Sequence, residues 1–132
     1  MEGRVYAVDF APDGLRFAAV SSLDGKGAVS FYNYDFSTEM PADMLAIESR
    51  DEGARKEDEK AKLAAHYVSD TKVLGTVPLD AGQFALRWLR DGSGVAVAGE
   101  DGKVRIITAV EPKVVKEFVP VPLISTPSTA AQ

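Results

Sequence analysis

The chain has 132 residues, 45% of them hydrophobic, with 20 acidic against 15 basic side chains, a net charge of -5 and no cysteine. That size supports one domain with a modest core, and the acidic balance offers no field to hold a phosphate backbone, so no nucleic-acid partner is expected. Lack of cysteine removes disulfides, thiolate zinc sites, a cysteine nucleophile and CxxCH haem attachment, and no apolar run approaches the roughly 20 residues that span a bilayer.

The start, Met1-Glu2-Gly3-Arg4, has no apolar stretch of signal-peptide type. As written the chain is expected in the cytoplasm, or exported if it belongs to a larger secreted protein. Alternating apolar residues predict strands at residues 5–11, 15–22 and 28–34, divided by Asp13-Gly14 and Asp24-Gly25. Asp-Gly between apolar runs is a hairpin signal, because Gly tolerates positive φ and Asp bonds the backbone two residues on.

The next stretch, about residues 38–68, has helix chemistry. Pro41 stands near a start, Met44, Leu45 and Ile47 supply an apolar face, and Ser49-Arg50-Asp51-Glu52 reads as a capping box opening a second helix, with Gly53 breaking or bending the chain. Asp51 with Arg55, Glu52 with Lys56 and Asp58 with Lys62 are opposite charges at i, i+4, each worth roughly 0.2–0.5 kcal/mol. A short helix followed by a longer charged one is therefore expected to project from the strands.

Residues 72–79 predict a fourth strand, residues 83–89, 94–100 and 103–108 predict three more with turns at Asp91-Gly92 and Asp101-Gly102, and residues 113–120 predict an eighth. The fourth and eighth both begin with lysine and end near proline, which suits an outer edge. The last residues, 121–132, are rich in Pro, Ser and Thr and read as a flexible tail.

Residues 4–32 and 82–107 align at a shift of about 78: Tyr6 falls on Phe84, Val8 on Leu86, Phe10 on Trp88 and Asp13-Gly14 on Asp91-Gly92. The chain thus reads as a repeat of four-stranded antiparallel units, mainly β, the first covering residues 1–80 with the helical insertion between its third and fourth strands, the second covering residues 81–120.

On FAPDG and GEDGKVRII the sequence resembles the WD-repeat family of β-propellers. Tyr32-Asn33 and Ile107-Thr108 stand where that family has Trp-Asp, and its Gly-His has no counterpart, so only the turn aspartates Asp24 and Asp101 carry over. A closer resemblance is to degenerate WD blades in large planctomycete-type multidomain proteins, on FAPDGLRFAAVSSLDGKGAVSFYNYDF, EDEKAKLAAHY and KVVKEFVPVP. The resemblance implies a bacterial origin, two propeller blades and a non-catalytic part in protein–protein interaction or scaffolding.

Blades cover one another, and roughly four to eight close a ring, so further blades are expected from three or four copies of the chain, another chain or a longer parent. The alternative is a structural propeller part of a multidomain bacterial redox or hydrolytic enzyme. A small-molecule sensor in the central channel has no residue pattern behind it.

Asp13, Gly14, Asp24, Gly25, Asp91, Gly92, Asp101 and Gly102 are read as structural turns and not as acid pairs or a calcium site, and residues 33–39 lack the central glycine of a calcium loop. His66 has no nucleophile near it in sequence, and Ser21 and Ser22 have no GxSxG elbow. No catalytic residue, cofactor or metal is expected. Aromatics nearest the insertion, Tyr32, Tyr34 and Phe36, together with Tyr67 inside it, are the expected partner surface.

Overall fold

The computed structural model describes residues 1–34, 37 and 39–122, Tyr34 by its backbone alone. Eight strands form: β1 Arg4–Phe10, β2 Arg16–Leu23, β3 Lys26–Tyr34, β4 Thr71–Leu79, β5 Gln83–Trp88, β6 Gly94–Gly99, β7 Val104–Thr108 and β8 Lys113–Phe118. They make two four-stranded antiparallel sheets, each a meander in chain order, β1-β2-β3-β4 and β5-β6-β7-β8. The mainly β architecture expected from the alternating runs is the one observed.

The repeat extends to irregularities of pairing. The first strand of each sheet bulges at its start, between Val5 and Ala7 and between Gln83 and Ala85. The third strand of each is out of step with the fourth at Phe31/Tyr32 and at Ile106/Ile107. A bulge shifts every later side chain by one position, so shared bulges keep equivalent residues on equivalent faces throughout. Val8 thus corresponds to Leu86, Phe10 to Trp88, Phe31 to Ile106 and Tyr32 to Ile107.

The sheets pack face to face, β5 lying over β1, β2 and β3. The core between them holds Ala18, Val20, Val29 and Phe31 from the first sheet and Trp88, Val95, Val97 and Ile107 from the second, all buried. Each large side chain there contributes roughly 1.5–3 kcal/mol, so this apolar layer outweighs any single polar contact in holding the sheets together.

Between β3 and β4 the chain forms α1 Ala42–Glu48, a 3-10 turn at Glu52–Ala54, and α2 Glu57–Ser69. The two helices make a hairpin closed by buried Ile47 and Leu63. Acidic Glu57, Asp58 and Glu59 fill the first turn of α2, where the helix dipole favours them.

Two local expectations are corrected here. Ser49 does not open a helix: it ends α1, its hydroxyl donating back to the Ala46 carbonyl at 3.1 Å. The start of α2 is held by Glu59, whose carboxylate accepts the Lys56 backbone N–H at 2.9 Å. Nor are the i, i+4 ion pairs the ones that form among the described residues; Arg50 pairs with Glu59 and Lys60 with Glu57. Arg55 is drawn away from Asp51 because its guanidinium donates to the carbonyls of Ile47, Glu48 and Arg50 at and just beyond the end of α1, the first of which also accepts the Arg50 N–H.

Candidate functional site

The Asp-Gly positions are turns of two kinds. At Asp13, Asp91 and Asp101 a carboxylate oxygen accepts the backbone N–H two residues on, from Leu15 at 2.9 Å, Ser93 at 2.9 Å and Lys103 at 3.2 Å. The following glycines take φ of +70° to +73°. Asp24 and Gly25 differ: both have positive φ, and Leu23 pairs directly with Lys26, the two-residue hairpin in which Asp-Gly is favoured.

These bonds set the charge of the acids. The Leu15 N–H first, with Arg16 beside it, holds the Asp13 carboxyl below its ordinary range, and the Ser93 hydroxyl does the same for Asp91. These acids are held in place by their own turns.

A polar junction joins the sheets. The Asp9 carboxylate accepts the Trp88 backbone N–H at 2.8 Å and its backbone carbonyl accepts the Trp88 indole N–H at 2.9 Å. Trp88 also meets Phe31 edge to face, with ring centroids 5.8 Å apart. Above it, Arg16 lies 5.0 Å from the ring centroid, donates to Asp13 and donates across to the Gly92 carbonyl at 3.2 Å. One arginine therefore ties the Asp13 turn of the first sheet to the Asp91 turn of the second. The sequence carried a signal for this: Asp9 is the one charge between apolar Val8 and Phe10.

A second polar cluster lies on β7. Arg105 is 6% exposed and is bound by Asp101 and, at 2.8 Å, by Glu117, which Lys103 also contacts at 2.9 Å. Arg105 lowers the Asp101 carboxyl, Lys103 first and Arg105 with it lower that of Glu117, and Asp101 raises the arginine. Every charge is neutralised within the cluster, which makes it a brace across β7 and β8. At the equivalent place in the first sheet Ser30 and Thr76 share a 2.9 Å hydroxyl contact.

The far side of each sheet looks away from the other sheet. On the first, Val5 is 48% and Val8 51% exposed, and Tyr32 is stacked on Phe17 at 4.7 Å. The small side chains Ser21, Ala28 and Ser30 leave an open trough of about 650 Å³ there, bounded also by Thr76 and Pro78. On the second sheet Ala96, Ala98, Val104 and Ile106 alternate with the core residues, half-buried by their neighbours alone, and Phe118 is 40% exposed. Polar residues stand beside these apolar ones, Ser21, Ser30 and Thr76 on the first sheet and Arg87 and Lys116 on the second.

Two of the expected partner residues are described on different elements. Tyr32 belongs to the far face of the first sheet, whereas Tyr67 is on α2, 56% exposed with its hydroxyl donating to Glu48 at 2.6 Å. The side chain of Tyr34 and all of Phe36 lie outside the described residues. His66 is half-buried near Tyr67, ring centroids 6.2 Å apart. Among the described residues no group of three or more His, Cys, Asp or Glu side chains is placed to hold a metal ion. Among the described residues no helix is long and apolar enough to cross a membrane. Comparison with protein-family models and with curated proteins returns no match.

Proposed function

We propose that this chain is a two-blade segment of a β-propeller that serves protein–protein interaction or scaffolding, has no reaction of its own, and is completed by oligomerisation or by further blades. The observation that carries this reading is the sense of the stacking. The face of the second sheet that packs on the first, with Leu86, Trp88 and Ile107, is equivalent to the face of the first that looks away from the second, with Val8, Phe10 and Tyr32. The sheets stack as successive members of a series and not as two mirror halves of a closed sandwich. A series leaves an outward face at each end; here one presents Val5 and Val8 and the other Ile106 and Phe118 beside Arg87 and Lys116. The helical hairpin, placed between β3 and β4, gives a ring built this way a charged appendage on which a protein partner can dock.

Solution mass read together with hydrophobic dye binding tests the reading. The chain is expected either to assemble or, as a monomer, to enhance the fluorescence of an anilinonaphthalene sulfonate probe in proportion to its bare apolar faces. A folded monomer that leaves the dye dark would contradict it.

A further inference from the structure

We propose that Asp24 is a site of spontaneous covalent modification, converting to isoaspartate through a cyclic imide formed with the backbone nitrogen of Gly25. In this reaction the Gly25 nitrogen bonds to the Asp24 Cγ, and the amide hydrogen leaves with the carboxyl hydroxyl as water. Water then opens the ring at either carbonyl: at Cγ it restores aspartate, and at the main-chain carbonyl it leaves the chain running through Cγ. Mass is unchanged, and nothing beyond water takes part. The reaction is independent of whether the chain belongs to a propeller.

Four Asp-Gly steps fall within the described residues, and in each the glycine leaves its nitrogen unshielded by a side chain. They differ in what holds the two reacting groups. The Gly14 N–H donates to the Ala11 carbonyl at 3.0 Å, that of Gly92 to Leu89 at 3.0 Å and that of Gly102 to Gly99 at 3.2 Å. Their aspartates are held as well, each carboxylate accepting the N–H two residues on, and Asp101 is gripped further by Arg105. Nucleophile and electrophile are both engaged at these three steps. At Asp24-Gly25 neither is: among the described residues the Gly25 N–H and the Asp24 carboxylate have no hydrogen-bond partner, and both residues are exposed.

Ionisation widens the difference. The ring forms from the neutral acid, whose hydroxyl leaves as water. The Leu15 N–H for Asp13, the Ser93 hydroxyl for Asp91 and Arg105 for Asp101 favour the ionised form and hold those three carboxyls below their ordinary range.

Backbone geometry points the same way. Asp24 is the one non-glycine residue with positive φ among those described, at +50°, where an L side chain is strained. Closing the ring needs rotation of the Asp24 backbone, and a hairpin tip reaches it by opening one pair, Leu23 with Lys26. The product adds a carbon to the main chain of a two-residue turn, so it loosens the β2–β3 hairpin at the rim of the trough that Asp24 and Lys26 help to line.

The test keeps the purified full chain at body temperature and neutral pH for several weeks, beside a sample unfolded in urea. Electron-transfer fragmentation of tryptic peptides then distinguishes isoaspartate from aspartate at each step. In the folded chain isoaspartate is expected at Asp24 about tenfold faster than at Asp13, Asp91 or Asp101, the factor that one hydrogen bond broken before attack represents. In urea the four rates are expected to converge, because no turn is then held. Asp24→Glu, whose ring would need a sixth member, is expected to abolish the modification there and leave the other three rates unchanged.

A folded chain with no isoaspartate at Asp24 overturns the proposal. So does one in which another Asp-Gly step reacts as fast. A lead for Asp24 that persists undiminished in urea also overturns it, since neighbouring sequence and not the turn would then set the rate.

Discussion

Trp88→Ala is expected to lower folding stability by about 3–5 kcal/mol, read as a fall in the urea midpoint followed by far-ultraviolet circular dichroism. Trp88 is 7% exposed, meets Phe31 across the sheets and is held by both hydrogen bonds to Asp9. Removing the indole opens a cavity where the sheets meet and strands the Asp9 carbonyl. Trp88→Phe keeps most of the apolar volume, loses the indole N–H bond and weakens the cation–π contact with Arg16, so about 1–2 kcal/mol is expected. A cost under about 1 kcal/mol for the alanine would mean that the sheets are not docked through this residue.

The Arg105 cluster should respond with opposite signs to two kinds of change. Asp101→Asn with Glu117→Gln leaves a buried guanidinium without its carboxylates, and about 2–4 kcal/mol of stability should be lost; water reaching the two exposed acids keeps this below the usual range for a fully buried pair. Arg105→Met, which removes the charge and keeps the bulk, should change stability by no more than about 1 kcal/mol. The pH dependence has a definite sign. Both carboxyls are lowered in the folded chain, so their contribution is fully present above the ordinary values of 3.8 for Asp and 4.5 for Glu and is lost as pH falls through the lowered values. The urea midpoint of the wild-type chain should therefore drop on acidification, and that of Arg105→Met should drop less. Equal slopes would show that the cluster carries no linked protons.

How far the sequence led can be judged from particular residues. Asp-Gly steps and apolar runs place the hairpins, because φ requirements and period-two alternation act within a few residues. In β1, however, Val8 and Phe10 argue for burial of one face, while the structure covers the other, that of Ala7 and Asp9. Apolarity says which side chains need cover, and only tertiary contact says which neighbour supplies it. The same distinction explains the misread capping box: Ser49 and Glu52 have the right types and spacing, but the carbonyls at the end of α1 attract Ser49 and Arg55 more effectively than a new helix start would. The Trp88–Asp9 junction spans 79 positions, beyond the reach of any local pattern.

This mismatch on β1 also gives the propeller reading its physical content. A strand whose more apolar face looks outward gains from cover on that face, and the internal stacking is the form of cover on which the propeller reading rests. Charge does not oppose it: a net charge of -5 is largely screened beyond roughly 8–10 Å at ordinary salt, so apolar contact at close range decides whether sheets associate.

An experimental structure of the purified chain at assembling concentration is the most direct measurement. The account predicts that the purified chain assembles so that the faces of Val8 and Ile106 are both covered by further sheets in a closed ring. A particle of two sheets only, with Val8 and Ile106 both in water, would contradict it.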